Sequence, residues 1–134
     1  MTRTILFVCV GNSGRSQMAE AIFNKMKPDG FRAISAGTRP AKEVNPLVVQ
    51  VLGEIGIDAS EAKPKPISTE MIAEAEKTIT MGCEASNFCP ARFLPRVEDW
   101  SIEDPKGKTL DEIRSIRDTV HEHVRELLQR LGPT

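Results

Sequence analysis

The sequence predicts one α/β domain, spanning residues 1–134, built on a parallel sheet. Three observations carry that prediction. Short apolar runs alternate along the chain with segments of helical periodicity. The first of these runs has no polar alternation, as expected for a central strand buried on both faces. The length suits a single core, and the chain shows neither internal repeats nor a linker.

The elements follow in order. TILFV at 4–8 is the first strand. Met18, Ile22 and Met26 then recur at helical spacing, and the helix ends before KPDG. FRAIS at 31–35 is the second strand, closed by Gly37. NPLVVQVLGEIG is a helix capped by Asn45, with Pro46 in its first turn and Gly56 as its stop. ASEAKPKPIS at 59–68 is a loop stiffened by Pro64 and Pro66. STEMIAEAE is a short helix with Ser68 or Thr69 as its cap. KTITM at 77–81 is the third strand, the stretch 82–95 is loop-like, and RVEDW at 96–100 reads as a short edge strand. The last element has the strongest pattern. TLDE at 109–112 is a capping box, and Leu110, Ile113, Ile116, Val120, Val124, Leu127, Leu128 and Leu131 recur at helical spacing. Gly132 and Pro133 end it. Strands alternating with helices imply right-handed crossovers between parallel strands.

Composition excludes several classes. The chain is 40% hydrophobic and 28% charged, which is ordinary for a globular domain. Its 18 basic and 19 acidic side chains nearly cancel. It therefore lacks the basic excess of a non-specific nucleic-acid binder. No apolar run approaches a membrane span, and the N-terminus lacks a signal-peptide pattern. A monomeric, cytoplasmic protein without nucleic-acid or membrane partners is expected. The chain has three cysteines, Cys9, Cys83 and Cys89. In a reducing compartment these do not make a structural disulfide framework, and an odd number leaves one unpaired. Taken singly, each also reads as an inert buried thiol.

CVGNSGRS at 9–16 joins the first strand to the first helix. In a parallel α/β sheet, ligands sit beyond the carboxyl ends of the strands, where this turn lies. Backbone N–H groups leading into a helix converge on an anion, and the helix dipole adds to the attraction. Gly11 and Gly14 allow close backbone approach, and Asn12 tolerates a left-handed conformation. The lysine of a nucleotide P-loop is missing, and so is the glycine spacing of a dinucleotide site. What remains is Cys-x5-Arg. Arg15 supplies a planar fork for two oxyanion oxygens. Cys9 sits where N–H groups, with the hydroxyl of Ser16, stabilise a thiolate. A thiolate aimed at the centre of a bound tetrahedral oxyanion is a nucleophile in place. The candidate anion loop is Val10, Gly11, Asn12, Ser13, Gly14, Arg15 and Ser16. The plainer alternative is a buried strand-end cysteine followed by an ordinary turn.

VCVGNSGRSQMAEA, SAGT at 35–38, NPLVVQVLGEIGID, TMGCEASNFCP and EDWSIEDP together resemble the low-molecular-weight tyrosine phosphatase family, and within it the thioredoxin-coupled arsenate reductases. The resemblance runs over nearly the whole chain. It implies a four-stranded parallel sheet flanked by helices, a three-layer flavodoxin-like fold. It matches Cys9 to the nucleophile, Arg15 to the oxyanion-binding arginine, Asn12 and Ser16 to the loop-organising and thiolate-stabilising residues, and Asp104 to the general acid. On its own residues, Asp104-Pro105 is a common turn pair.

The resemblance further implies a three-cysteine relay. Cys9 attacks arsenate, Cys83 attacks Cys9 and expels arsenite, and Cys89 then forms a Cys83–Cys89 disulfide that thioredoxin reduces. Phosphate or sulfate would compete, and no bound cofactor is implied. One departure is the spacing of Cys83 and Cys89, six positions apart where the family's common pattern has seven. Family members with a potassium site use residues matching Asn12, Glu20 and Ser35. Lys63 or Lys65 would bring a positive charge there instead, so no metal is expected. His121 and His123, two apart on the last helix, are expected to be solvated.

Two other readings stay open. One is a phosphatase acting on phosphotyrosine or a small phosphomonoester. Those enzymes usually carry an aromatic after Asp-Pro, where this chain has Lys106 and Gly107, and the chain has no tyrosine and one tryptophan. The other is a non-catalytic oxyanion-binding or redox-sensing protein, which the presence of Asp104 disfavours.

Overall fold

The computed structural model describes residues 2–81 and 97–132. The elements run β1 (Arg3–Cys9), α1 (Arg15–Met26), β2 (Phe31–Gly37), α2 (Pro46–Gly53), α3 (Thr69–Glu74), β3 (Lys77–Thr80), β4 (Val97–Asp99) and α4 (Leu110–Leu131). The four strands are all parallel, in the order β2-β1-β3-β4. The predicted α/β sheet is therefore the one formed, with β1 inside it. Among the described residues no helix is long and apolar enough to cross a membrane.

Side-chain alternation along β1 divides the core in two. Ile5, Phe7 and Cys9 join a large cluster with Met18, Ile22 and Phe23 of α1, Val48 and Val51 of α2, and the apolar face of α4. Leu6 and Val8 face the other way, against Ala36, Ile72 and Ala75. Both faces are covered, so the strand needs no polar positions. The same alternation sends Cys9 to the α1 side. α4 buries Ile113, Ile116, Val120, Val124 and Leu127, the periodic positions of its sequence. Removing one of the isoleucines or Leu127 to alanine costs roughly 2–5 kcal/mol.

The ends of the elements refine the sequence reading. The capping box of α4 forms in both directions, between Thr109 and Glu112. Ser68 caps α3, its hydroxyl accepting from the Met71 N–H. α2 stops at Gly53 rather than at Gly56, because shorter-range bonds take over: Ile55 N–H to Leu52 and Gly56 N–H to Gly53. Gly56 then takes φ +83, a value that glycine adopts without strain.

The expectation of two solvated histidines fails for His123. Its ring stacks on Trp100 at 4.9 Å and 25°. Trp100 is buried beyond the end of β4 and offers α4 a flat apolar surface, while its other neighbour is Phe7. The indole N–H donates to Glu98 at 2.6 Å. Glu98 also receives both terminal nitrogens of Arg130 at 2.8 Å and the Lys77 ammonium at 3.1 Å. One carboxylate thus ties the sheet edge to the far end of α4.

The Arg130 hydrogen bonds, then those from Trp100 and Lys77, lower the Glu98 pKa from 4.5 to about 2. The unfolded chain holds that proton more readily, so the stabilisation is complete above about pH 4.5 and is lost as pH falls toward 2. Solvent screening of this partly exposed carboxylate holds that contribution to about 1–3 kcal/mol. Glu98→Gln should melt several degrees lower at neutral pH, with the gap to the parent chain closing between about pH 4.5 and 2. Thermal unfolding followed by circular dichroism across that range checks this. A gap that ignores pH would remove Glu98 from the account.

Candidate active site

The loop between β1 and α1 is held from outside by the segment that follows β2. The N–H groups of Thr38, Arg39, Ala41 and Asn45 donate to the carbonyls of Cys9, Val10, Gly11 and Ser13, at 2.8–3.2 Å. Peptide planarity turns the N–H groups of residues 10, 11, 12 and 14 the opposite way. That of Asn12 reaches the Cys9 sulfur at 3.2 Å. Loop and strand therefore build a concave set of donors with Cys9 beneath it.

Gly37, which the sequence reading treated only as the end of a strand, makes this possible. A Cβ there would lie 2.6 Å from the Val10 carbonyl and 2.9 Å from the Asn12 nitrogen. β2 can run beside the anion loop only because that side chain is absent. The visible signal was the SAGT stretch, but nothing local in it reports a neighbour across the sheet.

Asn12 adopts φ +50, the left-handed value expected of it, and is fully buried. Its amide nitrogen donates to Ser16 Oγ at 2.7 Å and to Ser35 Oγ at 3.0 Å. Its amide oxygen accepts from Gln17 Nε2 at 3.0 Å and from the Lys65 N–H at 2.9 Å. Ser35 in turn donates to Glu20 at 3.0 Å. Ser16 Oγ lies 2.8 Å from Cys9 Sγ. Because that hydroxyl already accepts from Asn12, its own proton is free to point at the sulfur. Gln17, buried and bonded also to the Lys63 carbonyl, was missed in the sequence, where it looks like any polar helix residue.

Asn12 and Ser16 thus stand behind the loop, not in the cavity. The cavity, about 430 Å³, is lined by Cys9, Arg15, Arg39, Glu43, Asp104 and Lys106, with the loop backbone between them. Gly11, Ser13 and Gly14 contribute to that lining, as does Val10. No aromatic ring borders it among the described residues. Arg15 is nearly buried; its guanidinium donates to the Ile102 carbonyl at 3.3 Å and lies 3.7 Å from Asp104 Oδ2. Asp104 is exposed, and its Oδ1 accepts from the Lys106 N–H at 3.0 Å. Cys83 and Cys89 lie outside the described residues. Met81, two positions before Cys83, donates its N–H to the Val8 carbonyl, beside the Cys9 end of β1.

The residues matched to a potassium site do not fit a cation. Glu20 has its charge met by the Lys65 ammonium at 3.6 Å, and the oxygen of Asn12 is filled by Gln17 and the Lys65 backbone. A potassium ion here would lie against an ammonium group. Among the described residues no group of three or more histidine, cysteine or acidic side chains is placed to hold a metal.

A strand, an anion loop and a helix N-terminus around a buried cysteine and an arginine recur in known proteins. The family model described as low molecular weight phosphotyrosine protein phosphatase matches residues 4–134. The chain belongs to that family. Among its relatives, the arsenate reductase 2 of Staphylococcus haemolyticus is 36% identical over 121 residues, covering 88% of this chain and 90% of the relative. A solved arsenate reductase in a phosphate-binding state superposes with a TM-score of 0.87 at 30% identity, over 98% of this chain and 100% of that one. The thioredoxin-dependent arsenate reductase of Corynebacterium glutamicum has a TM-score of 0.81 at 33% identity, over 96% of this chain and 61% of that one.

The hydrogen bond between Ser16 and Cys9 gives a test within this family site. Ser16→Ala removes a hydrogen bond worth about 0.5–1.5 kcal/mol, so it should slow alkylation of Cys9 by up to about 10-fold at neutral pH. Iodoacetamide labelling read at Cys9 by peptide mass mapping measures it. An unchanged rate would mean that the Ser16 proton points elsewhere.

Proposed function

We propose that this chain is an arsenate reductase that uses Cys9 as nucleophile and thioredoxin as reductant, acting as a cytoplasmic monomer. The observation that carries this reading is the buried Cys9 sulfur, bonded to Ser16 and the Asn12 N–H at the base of an anion loop. Arg15 and Asp104 stand over the same cavity. The relatives bearing the name arsenate reductase, and the two further cysteines of the sequence, point to reduction rather than hydrolysis.

Arsenate would enter with its oxygens on the N–H groups of residues 10–16 and the Arg15 fork. The Cys9 thiolate attacks arsenic, forming a sulfur–arsenic bond. An oxygen leaves as water, taking its proton from Asp104. Protonating a poor leaving group in this way contributes about 10²–10⁴ in rate. The Cys83 thiolate then attacks Cys9 Sγ. A disulfide forms, the sulfur–arsenic bond breaks with its electron pair left on arsenic, and As(V) becomes arsenite. The Cys89 thiolate attacks Cys83 Sγ and frees the Cys9 thiolate. The resulting Cys83–Cys89 disulfide takes two electrons from the thioredoxin dithiol. Lys106 in the cavity lining, directly after Asp104-Pro105 where the phosphatases usually carry an aromatic, supports a small inorganic substrate. The same loop would bind phosphate, and weak hydrolysis of phosphomonoesters is expected beside the main reaction.

Arsenate-dependent NADPH oxidation with thioredoxin and thioredoxin reductase tests this. Cys83→Ser and Cys89→Ser should both abolish turnover, yet Cys89→Ser should still release about one arsenite per chain in a single turnover, since its Cys9–Cys83 disulfide can form. Asp104→Asn should lower the rate by about 10²–10⁴. No arsenate turnover, with equal aryl phosphate hydrolysis by the parent chain and both cysteine variants, would make the chain a phosphatase.

A further inference from the structure

Gly14 precedes Arg15 and is the N-cap of α1, where its carbonyl accepts from the Met18 N–H at 2.9 Å. Its missing side chain has a second consequence, away from the anion. A Cβ on Gly14 would lie 2.5 Å from Cγ and 3.2 Å from Cδ of Pro105. The pyrrolidine ring fills the space that any other residue at position 14 would need. Pro105 is buried there, and the residue before it is Asp104.

The side-chain contacts of Asp104 do not hold it in position. Its carboxylate is 57% exposed, and its separation from Arg15 is 3.7 Å. A pair at that distance with one partner open to solvent is worth only about 1 kcal/mol and does not by itself fix the exposed side chain. Its other bond, from the Lys106 N–H, lies within the same turn and travels with it. The firm anchors are on the backbone of the segment. They are the Ile102 carbonyl on Arg15 at 3.3 Å, the Lys108 N–H on the Pro105 carbonyl at 3.1 Å, and the seat of the Pro105 ring on Gly14. Of these, the first and the last join the segment to the anion loop, and the last sets how close the Asp104-Pro105 turn itself comes to Gly14.

We propose that Gly14 is a positioning residue for the general acid: by giving up its side chain it seats Pro105, and so brings the Asp104 carboxyl over the oxyanion that Cys9 attacks. This rests on the assignment of Asp104 as the acid. A methyl group at position 14 would push Pro105 outward by about 1 Å to reach ordinary van der Waals contact, and a misplacement of that size costs up to about 100-fold in rate.

The test is single-turnover arsenite release by the reduced full-length chain, which bypasses thioredoxin. Gly14→Ala should lower the rate roughly 10- to 100-fold. Pro105→Ala removes both clashing atoms, so Gly14→Ala in that background should cost less than about threefold relative to Pro105→Ala alone. With Asp104→Asn present, Gly14→Ala should likewise cost little, because the two changes remove the same function. An equal cost of Gly14→Ala with and without Pro105→Ala would overturn the inference and assign the loss to the loop itself. A full rate in Gly14→Ala, with a rate loss in Asp104→Asn, would overturn the inference and leave the acid assignment standing. A full rate in Asp104→Asn would remove the acid assignment, and the inference with it.

Discussion

The direction in which Asn12 presents its amide governs the nucleophile. Glu20, as a carboxylate, can only accept, so Ser35 must give it its single hydroxyl proton. Ser35 can then only accept from Asn12, which turns the amide nitrogen toward both serines. Ser16 in turn accepts from Asn12, and its proton is left for Cys9. A charge at the far end of this chain of bonds thereby leaves the Ser16 proton available to the sulfur. The amide oxygen is saturated by Gln17 and the Lys65 N–H, so the amide has no second orientation that keeps its bonds. A buried polar network is stable only when every member is satisfied, and here each is.

The sheet makes that network reachable. β1 lies between β2 and β3, so Cys9 at its carboxyl end has neighbours on both sides. Parallel pairing of Cys9 with Gly37 puts Ser35 and the 38–45 segment against the loop. That segment takes the loop carbonyls, and the N–H groups are left facing the sulfur. α1 begins where the loop ends, so Ser16 and Gln17 approach Asn12 from the helix while Lys65 approaches from the other side of β2. Three separate stretches of chain meet on one asparagine.

Charge is arranged locally in a chain whose net charge is near zero. Away from the site, several cations are matched by carboxylates. Arg114 and Arg117 share Glu54 and join α4 to the end of α2, and Glu98 collects Arg130 and Lys77. At the cavity, Arg15 and Asp104 lie 3.7 Å apart, and the exposure of Asp104 to solvent leaves that pair weak. The paired charges secure the scaffold, and the loosely paired ones remain available to a substrate.

The elements themselves were legible in the sequence because each rests on short-range physics. Apolar runs, helical spacing, the Thr109 capping box and the Asn45 and Ser68 caps are decided within a few residues, and so is the anion loop with Cys9 and Arg15 at its ends. The small shifts, such as the end of α2 at Gly53, come from competition between bonds of different range. Tertiary structure alone decided which distant residues share space. It placed Gly37 beneath the loop and Pro105 on Gly14, the ammonium of Lys65 beside Glu20, and His123 against Trp100. Those contacts depend on strand order and on how closely two segments approach. Periodicity reports which way a side chain faces, and it carries no information about what stands opposite.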